Sequence, residues 1–289
     1  MMPNASLHQH AVRLLMALAL GAAAAGASAH DTWFQTLPET ARGERVLALG
    51  SGPHYPGQDS GVGMRQLHSH GCRGRGLPVA RLRWVADQPT ALVLRTALPV
   101  PAGSALTCWA QLVPIDIELD HALVDVYLDE VRATAALRER WAALKARGLP
   151  WRETFVKHAR IELPADAAAT SAAAGAAGTA GTEAPTAAID GLGMDVRVET
   201  PGPLRAGDTL RAQVLRDGQP LVGLAVELRS DVSSLGLWRQ TDEQGRIDVV
   251  LPLAANWLLR GVDLRPPTAD DGRWQSRFIS LGLQVLPRR

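Results

Sequence analysis

The chain has no block of like charges. Its 30 Lys and Arg stand against 29 Asp and Glu, spread along the whole length. That speaks against a nucleic-acid surface or a polybasic membrane patch. No apolar run after Ala25 approaches the ~20 residues of a membrane-spanning helix, so the sequence predicts a product that does not span a membrane. No G-x-S-x-G, H-E-x-x-H, Walker loop or dinucleotide fingerprint occurs, so no local signature selects an enzyme. Cysteine is scarce, with only Cys72 and Cys108. In an oxidising compartment such a pair reads as a disulfide. The competing reading makes Cys72, two residues after His70, a thiolate metal ligand.

The N-terminus is informative. Arg13 is the only charged residue before position 30 and precedes an apolar run from Leu14 to Ala25. Ala27-Ser28-Ala29 then matches the small-residue cleavage pattern of a secretory signal peptide. Residues 1–29 are therefore read as a removable leader, and the mature chain as periplasmic. Its charges balance, 29 against 29, and it begins His30-Asp31-Thr32-Trp33-Phe34. A free N-terminal histidine carries two nitrogens, the α-amine and Nδ1, that close a chelate ring on one ion.

Residues 30–164 read as an N-terminal β domain. Apolar runs at Val46–Leu49, Leu82–Val85, Ala91–Leu94 and Leu106–Val113 are separated by Gly and Pro clusters. Gly50 to Gly57 is a punctuated loop that puts His54 and Tyr55 on an exposed turn. Between 119 and 147 the period changes. Leu119, Leu123, Val126, Tyr127 and Val131 fall on one helical stripe, Leu137, Trp141 and Leu144 on a second, and Gly148-Leu149-Pro150 is a stop. Trp151 to Leu163 has both helical and strand spacing. Residues 165–191 are rich in Ala, Gly and Thr, with no large apolar face to bury, and read as a flexible linker. Residues 192–289 carry six or seven short alternating strands and a D-G hairpin at Asp217-Gly218, the pattern of an Ig-like β-sandwich. The predicted fold class is mainly β: a sandwich-like N-terminal region with a helical excursion, then a C-terminal Ig-like sandwich. Trp33, Trp84, Trp109, Trp141, Trp151, Trp238, Trp257 and Trp274 are scattered singly, as core residues are.

The His30-Asp31-Thr32-Trp33-Phe34 start, Tyr127-Leu128, Trp151 to Leu163, Asp217-Gly218-Gln219-Pro220-Leu221, Thr241 to Arg246 and Trp257 to Val262 together resemble one family. It is a group of bacterial periplasmic proteins of unknown function, labelled nickel or cobalt uptake periplasmic components. The resemblance implies a Ni- or Co-binding protein that works beside a membrane metal transporter or another periplasmic protein. The Ala/Gly/Thr insertion and the lack of an anchor depart from that pattern.

The residues themselves point to the same chemistry. His68-Ser69-His70 would place two imidazoles on one strand face. With the amine and imidazole of His30 they would supply four nitrogens, a set suited to Ni2+ or Cu2+; Co2+ is a candidate only through the resemblance. His54 is a further ligand candidate, and Asp31 a ligand or an acceptor orienting an imidazole. His121, among Asp116, Glu118 and Asp120, reads as part of a charged helix start, and His158 as a packed or solvated side chain. Two other functions fit the sequence: an Ig-like module that binds a protein partner without metal, and a copper-dependent oxidative enzyme.

Overall fold

The computed structural model describes residues 30–74, 77–101, 103–164, 187–270 and 272–288. The expected leader and its cleavage point, and residues 165–186 of the expected linker, lie outside them. The described residues are mainly β, with two short α-helices among them.

The described strands form three sheets, two of them packed on the third, central one. The first contains β1 (Asp31–Leu37), β2 (Val46–Gly52), β6 (Leu92–Arg95) and β5 (Arg83–Asp87) in that order, with β3 (Ser60–Gly61) on β2. The central sheet has eight strands. They are β14 (Ser233–Gln240), β13 (Ala225–Ser230), β16 (Ala255–Arg265), β17 (Trp274–Val285), β9 (Trp151–Leu163), β7 (Leu106–Leu112) and β4 (Leu67–Gly74) in order, with β8 (Ile115–Leu119) also on β9. The third contains β10 (Met194–Val198), β11 (Thr209–Arg216), β12 (Gln219–Pro220) and β15 (Arg246–Val250).

The two expected β regions are thus not separate in space. β9, from before the linker, pairs in parallel with β17, from after it, over the register Trp274↔Glu153 to Leu283↔Glu162. A parallel pair needs a long crossover, and the chain from 164 to 274 supplies it. β17 is buried on both faces. Ile279, Leu281, Leu283 and Val285 join the sandwich core under β10, β11 and β15, while Trp274 and Phe278 face the helical layer. The end of the expected linker is fixed rather than loose. Ile189 packs with Trp109 and Leu192, and its N–H donates to Asp195 Oδ2 at 2.8 Å.

The helical excursion consists of α1 (His121–Glu130) and α2 (Ala135–Ala146). The expected stripe is shifted. Leu119 belongs to β8, Leu123 and Val126 are exposed, and α1 buries Val124, Tyr127 and Leu128. Apolar residues occupy neighbouring positions on two candidate faces, so periodicity alone could not fix the phase. α2 buries Trp141 and Leu144 as expected. Gly148, at φ +69°, ends it: the N–H of Gly148 reaches Lys145 O and that of Leu149 reaches Leu144 O, the double bond of a Schellman cap. Trp151 to Leu163 resolves as one strand. Its first half, with Trp151, lies under the helices, where Trp151 stacks on Trp274 at 4.2 Å and meets Trp141 edge-on at 5.3 Å. Its second half, Ala159, Ile161 and Leu163, forms a core with Phe34, Leu47, Leu49, Leu92 and Leu94 of the first sheet. The D-G hairpin forms with Asp217 and Gly218 both at positive φ.

Candidate functional site

β1 is positioned by charge as well as by packing. Asp31, its first residue, is buried and ion-paired with Arg260 of β16, which also bonds Glu227 of β13. Burial pushes the Asp31 carboxyl above the ordinary range, and Arg260 partly offsets this. Asp31 is therefore an anchor inside the fold, committed to a guanidinium, and not a donor facing an open metal site. Ser280 of β17 donates from Oγ to Thr32 O at 2.5 Å, and Thr32 and Ser51 hydroxyls meet at 2.6 Å.

His30 stands just outside this anchor, with 23% of its side chain exposed. Its Nδ1 lies 3.9 Å from Oδ1 of Asp59, the residue before β3. That is too long for a hydrogen bond. It falls within the roughly 3–4 Å separation of two donors on one ion, whose bonds are each ~2.0–2.2 Å. His54 is exposed on the expected turn, where its carbonyl accepts from Gly57 N–H at 2.9 Å. Tyr55 turns inward and meets Trp33 edge-on at 5.7 Å.

His68 and His70 are elsewhere. Ser280, Ala159, Ala110 and His70 form one cross-strand row, so His70 is three strands from the point that holds Thr32. At ~4.8 Å per strand that is about 14 Å, with the core around Phe34 and Leu49 between the sheets. The two imidazoles are not aligned by simple alternation either. A register shift between Leu67 and Ser69 inserts an extra residue at His68, and a bulge breaks the two-residue period on which the shared face depended. His68 is exposed. His70 has a buried Nδ1 with no partner among the described residues, and burial plus the nearby Arg81 hold its pKa below the usual value. The four-nitrogen set of His30, His68 and His70 is not assembled. Among the described residues no three His, Cys, Asp or Glu side chains converge on one point.

Cys72 and Cys108 sit directly opposite each other on β4 and β7 and form the disulfide, which removes Cys72 as a thiolate ligand. His121 Nε2 bonds Leu149 O at 3.1 Å, and its ring lies edge-on to Trp141. Asp116 and Glu118 do not serve the helix start; they lie on β8 and bond Thr154 and Arg152 across the ladder. His158 is a core residue. Its Nδ1 bonds Phe278 O at 3.0 Å, and because a carbonyl only accepts, Nδ1 carries the proton. Burial lowers its pKa to about 4, leaving the ring neutral.

A buried polar set along β9 is not among the residues singled out from the sequence. Glu153 accepts from Tyr127 Oη, Trp151 Nε1 and Ser276 Oγ. Lys157 lies between Asp31 and the rings of Phe155 and Phe278. Arg160 Nη1 reaches both oxygens of Asp195 at 2.8 and 3.0 Å. The charged residues Glu153, Lys157, Arg160 and Glu162, interleaved with apolar ones in a long strand, were the available signal. A groove of about 830 Å³ runs along β1 past Tyr55, Glu162, Asp231 and Asn256.

Compared with protein-family models the chain matches none, and no curated protein matches it in sequence.

Proposed function

We propose that the mature protein is a periplasmic carrier or buffer of a transition-metal ion, Ni2+, Co2+ or Cu2+, held at its amino terminus. The observation that carries this reading is the approach of His30 Nδ1 to Asp59 Oδ1 at 3.9 Å, with His30 fixed by the buried Asp31–Arg260 pair behind it. Cleavage after Ala29 would add the α-amine of His30 as a third donor. Amine, imidazole and carboxylate suit these ions. Such a set leaves coordination positions free for a donor from elsewhere, as a delivery protein needs. The disulfide is in keeping with an oxidising compartment. A membrane metal transporter or another periplasmic protein would be the receiver, as the family resemblance implies.

Calorimetric titration of protein beginning at His30 with Ni2+, Co2+, Cu2+ and Zn2+ tests this. One-site binding is expected, weakened at least tenfold by His30→Ala and by Asp59→Ala, and by one extra residue ahead of His30 that blocks the amine. A His68→Ala/His70→Ala variant is expected to bind as the unaltered chain does. Equal affinity in all variants would sink the reading.

A further inference from the structure

The groove beside β1 has the size and lining of a site for a small organic molecule. Its volume, about 830 Å³, falls within the ~300–1,000 Å³ usual for such sites. Phe34 and Leu47 of the first sheet and Ile161 and Leu163 of the central sheet supply apolar walls. Gly282 of β17 adds no side chain to the lining; a Cβ there would stand 3.4 Å from Ile161 and 3.7 Å from the carbonyl of Phe34. The polar lining forms one group. It comprises Tyr55, Asp231 and Asn256, with Gln284 directly across from Asn256 on the neighbouring strand.

Of the charged groups on this lining, one carboxylate lacks a counter-ion. Arg45 pairs with Glu39. Glu162 engages Arg160 with one oxygen and the Thr107 hydroxyl with the other. Asp231 is held by neutral donors: the backbone N–H of Asn256 reaches Oδ1 at 3.1 Å and its side-chain amide reaches Oδ2 at 2.7 Å. Arg229, two residues back, is committed to Glu227, and no cation pairs with Asp231 among the described residues. Tyr55 stands close enough to sense this charge. Burial first, and then the Asp231 carboxylate, push its hydroxyl above the usual pKa. That hydroxyl has no hydrogen-bond partner among the described residues, and its ring is braced edge-on by Trp33 at 5.7 Å.

A carboxylate without a counter-ion, beside a tyrosine ring and a spare hydroxyl, is the complement of an ammonium group. Such a group carries only donors and is drawn to an aromatic face. The apolar walls suit a hydrocarbon body joined to it. We propose that the groove beside β1 binds a small organic cation, an alkyl- or arylalkyl-ammonium compound, with its ammonium between Asp231 and Tyr55 and its apolar body against Phe34 and Ile161. An anion is disfavoured, since the guanidinium on the lining is already paired. A peptide added as a strand also fits poorly. Pro38, Pro56 and Pro164 on the lining have no N–H, the carbonyl of Pro56 already accepts from Gln35, and strand addition depends on such groups. The groove follows β1 from Phe34 to Leu37, away from His30, and the proposal needs no metal ion.

Calorimetric titration of EDTA-treated protein with phenylethylammonium tests this, beside two probes of similar shape, neutral phenylethanol and anionic phenylacetate. The ammonium probe is expected to bind roughly tenfold more tightly than either. Asp231→Asn should weaken it about tenfold and Tyr55→Phe about threefold. Glu243→Gln, which removes an exposed carboxylate between β14 and β15, should leave it unchanged. Thermal unfolding shows whether each variant is folded. Amide shift mapping by nuclear magnetic resonance on the unaltered chain should place the probe at Gln35, Gly57, Asn256, Gly282 and Gln284, whatever the variants do. No binding of the ammonium probe, equal binding of the alcohol, a folded Asp231→Asn variant that binds as before, or shifts centred elsewhere would overturn the proposal. Tighter binding of a lysine-containing pentapeptide than of the free amine would assign the groove to a peptide and overturn it as well.

Discussion

Replacing Lys157 by methionine should stabilise the protein at neutral pH, and the gain should disappear in alkali. Lys157 sits on β9 between the start of β1 and the helical layer, with its ammonium 5.4 Å from the Phe155 ring and 5.9 Å from that of Phe278. Burial lowers its pKa from 10.5 to about 8, against the opposing pull of Asp31. In the unfolded chain the amine keeps its proton until pH 10.5; in the fold it does so only to about 8. Between those values the unfolded state binds more protons, so wild-type stability rises with pH across that window. At pH 7 the same difference means that holding the charge costs roughly 3 kcal/mol, at ~1.4 kcal/mol per pH unit. Methionine keeps most of the stem and drops the charge, while Asp31 loses one attractive neighbour. The expected net gain at pH 7 is about 1–3 kcal/mol, shrinking towards zero near pH 10.5. Urea unfolding of both proteins at pH 7 and at pH 10 reads this directly. A Lys157→Met variant that is less stable at pH 7, or whose difference from wild type ignores pH, would refute the reasoning.

Other outcomes follow from the same core. His158 titrates near 6.5 when unfolded and about 4 in the fold, so its contribution is lost as pH falls from 6.5 through 4. The stability difference between wild type and His158→Gln, followed by thermal unfolding, should change across that window and level off above it. Asp195→Ala leaves Arg160 buried beside Glu162 alone and strips Ile189 N–H of its acceptor; a loss of about 3–5 kcal/mol is expected in urea unfolding. Trp274→Ala removes the ring stacked on Trp151 beneath the helices and should cost about 3–5 kcal/mol. Reducing Cys72–Cys108, which closes a separation of 36 residues, should lower stability by roughly 4 kcal/mol in the chain-entropy model.

Much of the fold could be read from patterns of period two. The alternation of Met194 to Val198 and of Leu210 to Leu215, and the Asp217-Gly218 turn, led to strands and a hairpin that are present. The Gly148 stop is present for the same reason: it depends on local backbone geometry. What could not be read was long-range. Nothing local tells β9 that its parallel neighbour lies beyond residue 270, and so one shared sheet looked like two domains. Val124 and Leu128 could not be ranked above Leu123 and Val126, because the choice depends on which face the central sheet offers. The candidate site suffered in the same way. His68 and His70 looked paired because strands alternate, and an extra residue at His68 breaks that alternation. Asp59, in a polar stretch with no periodic signal, reaches His30 only through the pairing of β2 with both β1 and β3.

The central claim is that His30 meets metal with Asp59 and without His68 or His70. Pulsed electron paramagnetic resonance on Cu2+-loaded protein beginning at His30 counts the imidazoles bound to the ion. One imidazole, lost in His30→Ala and unchanged in His68→Ala/His70→Ala, is the result expected. Two or more imidazoles, or a signal that survives His30→Ala, would contradict it.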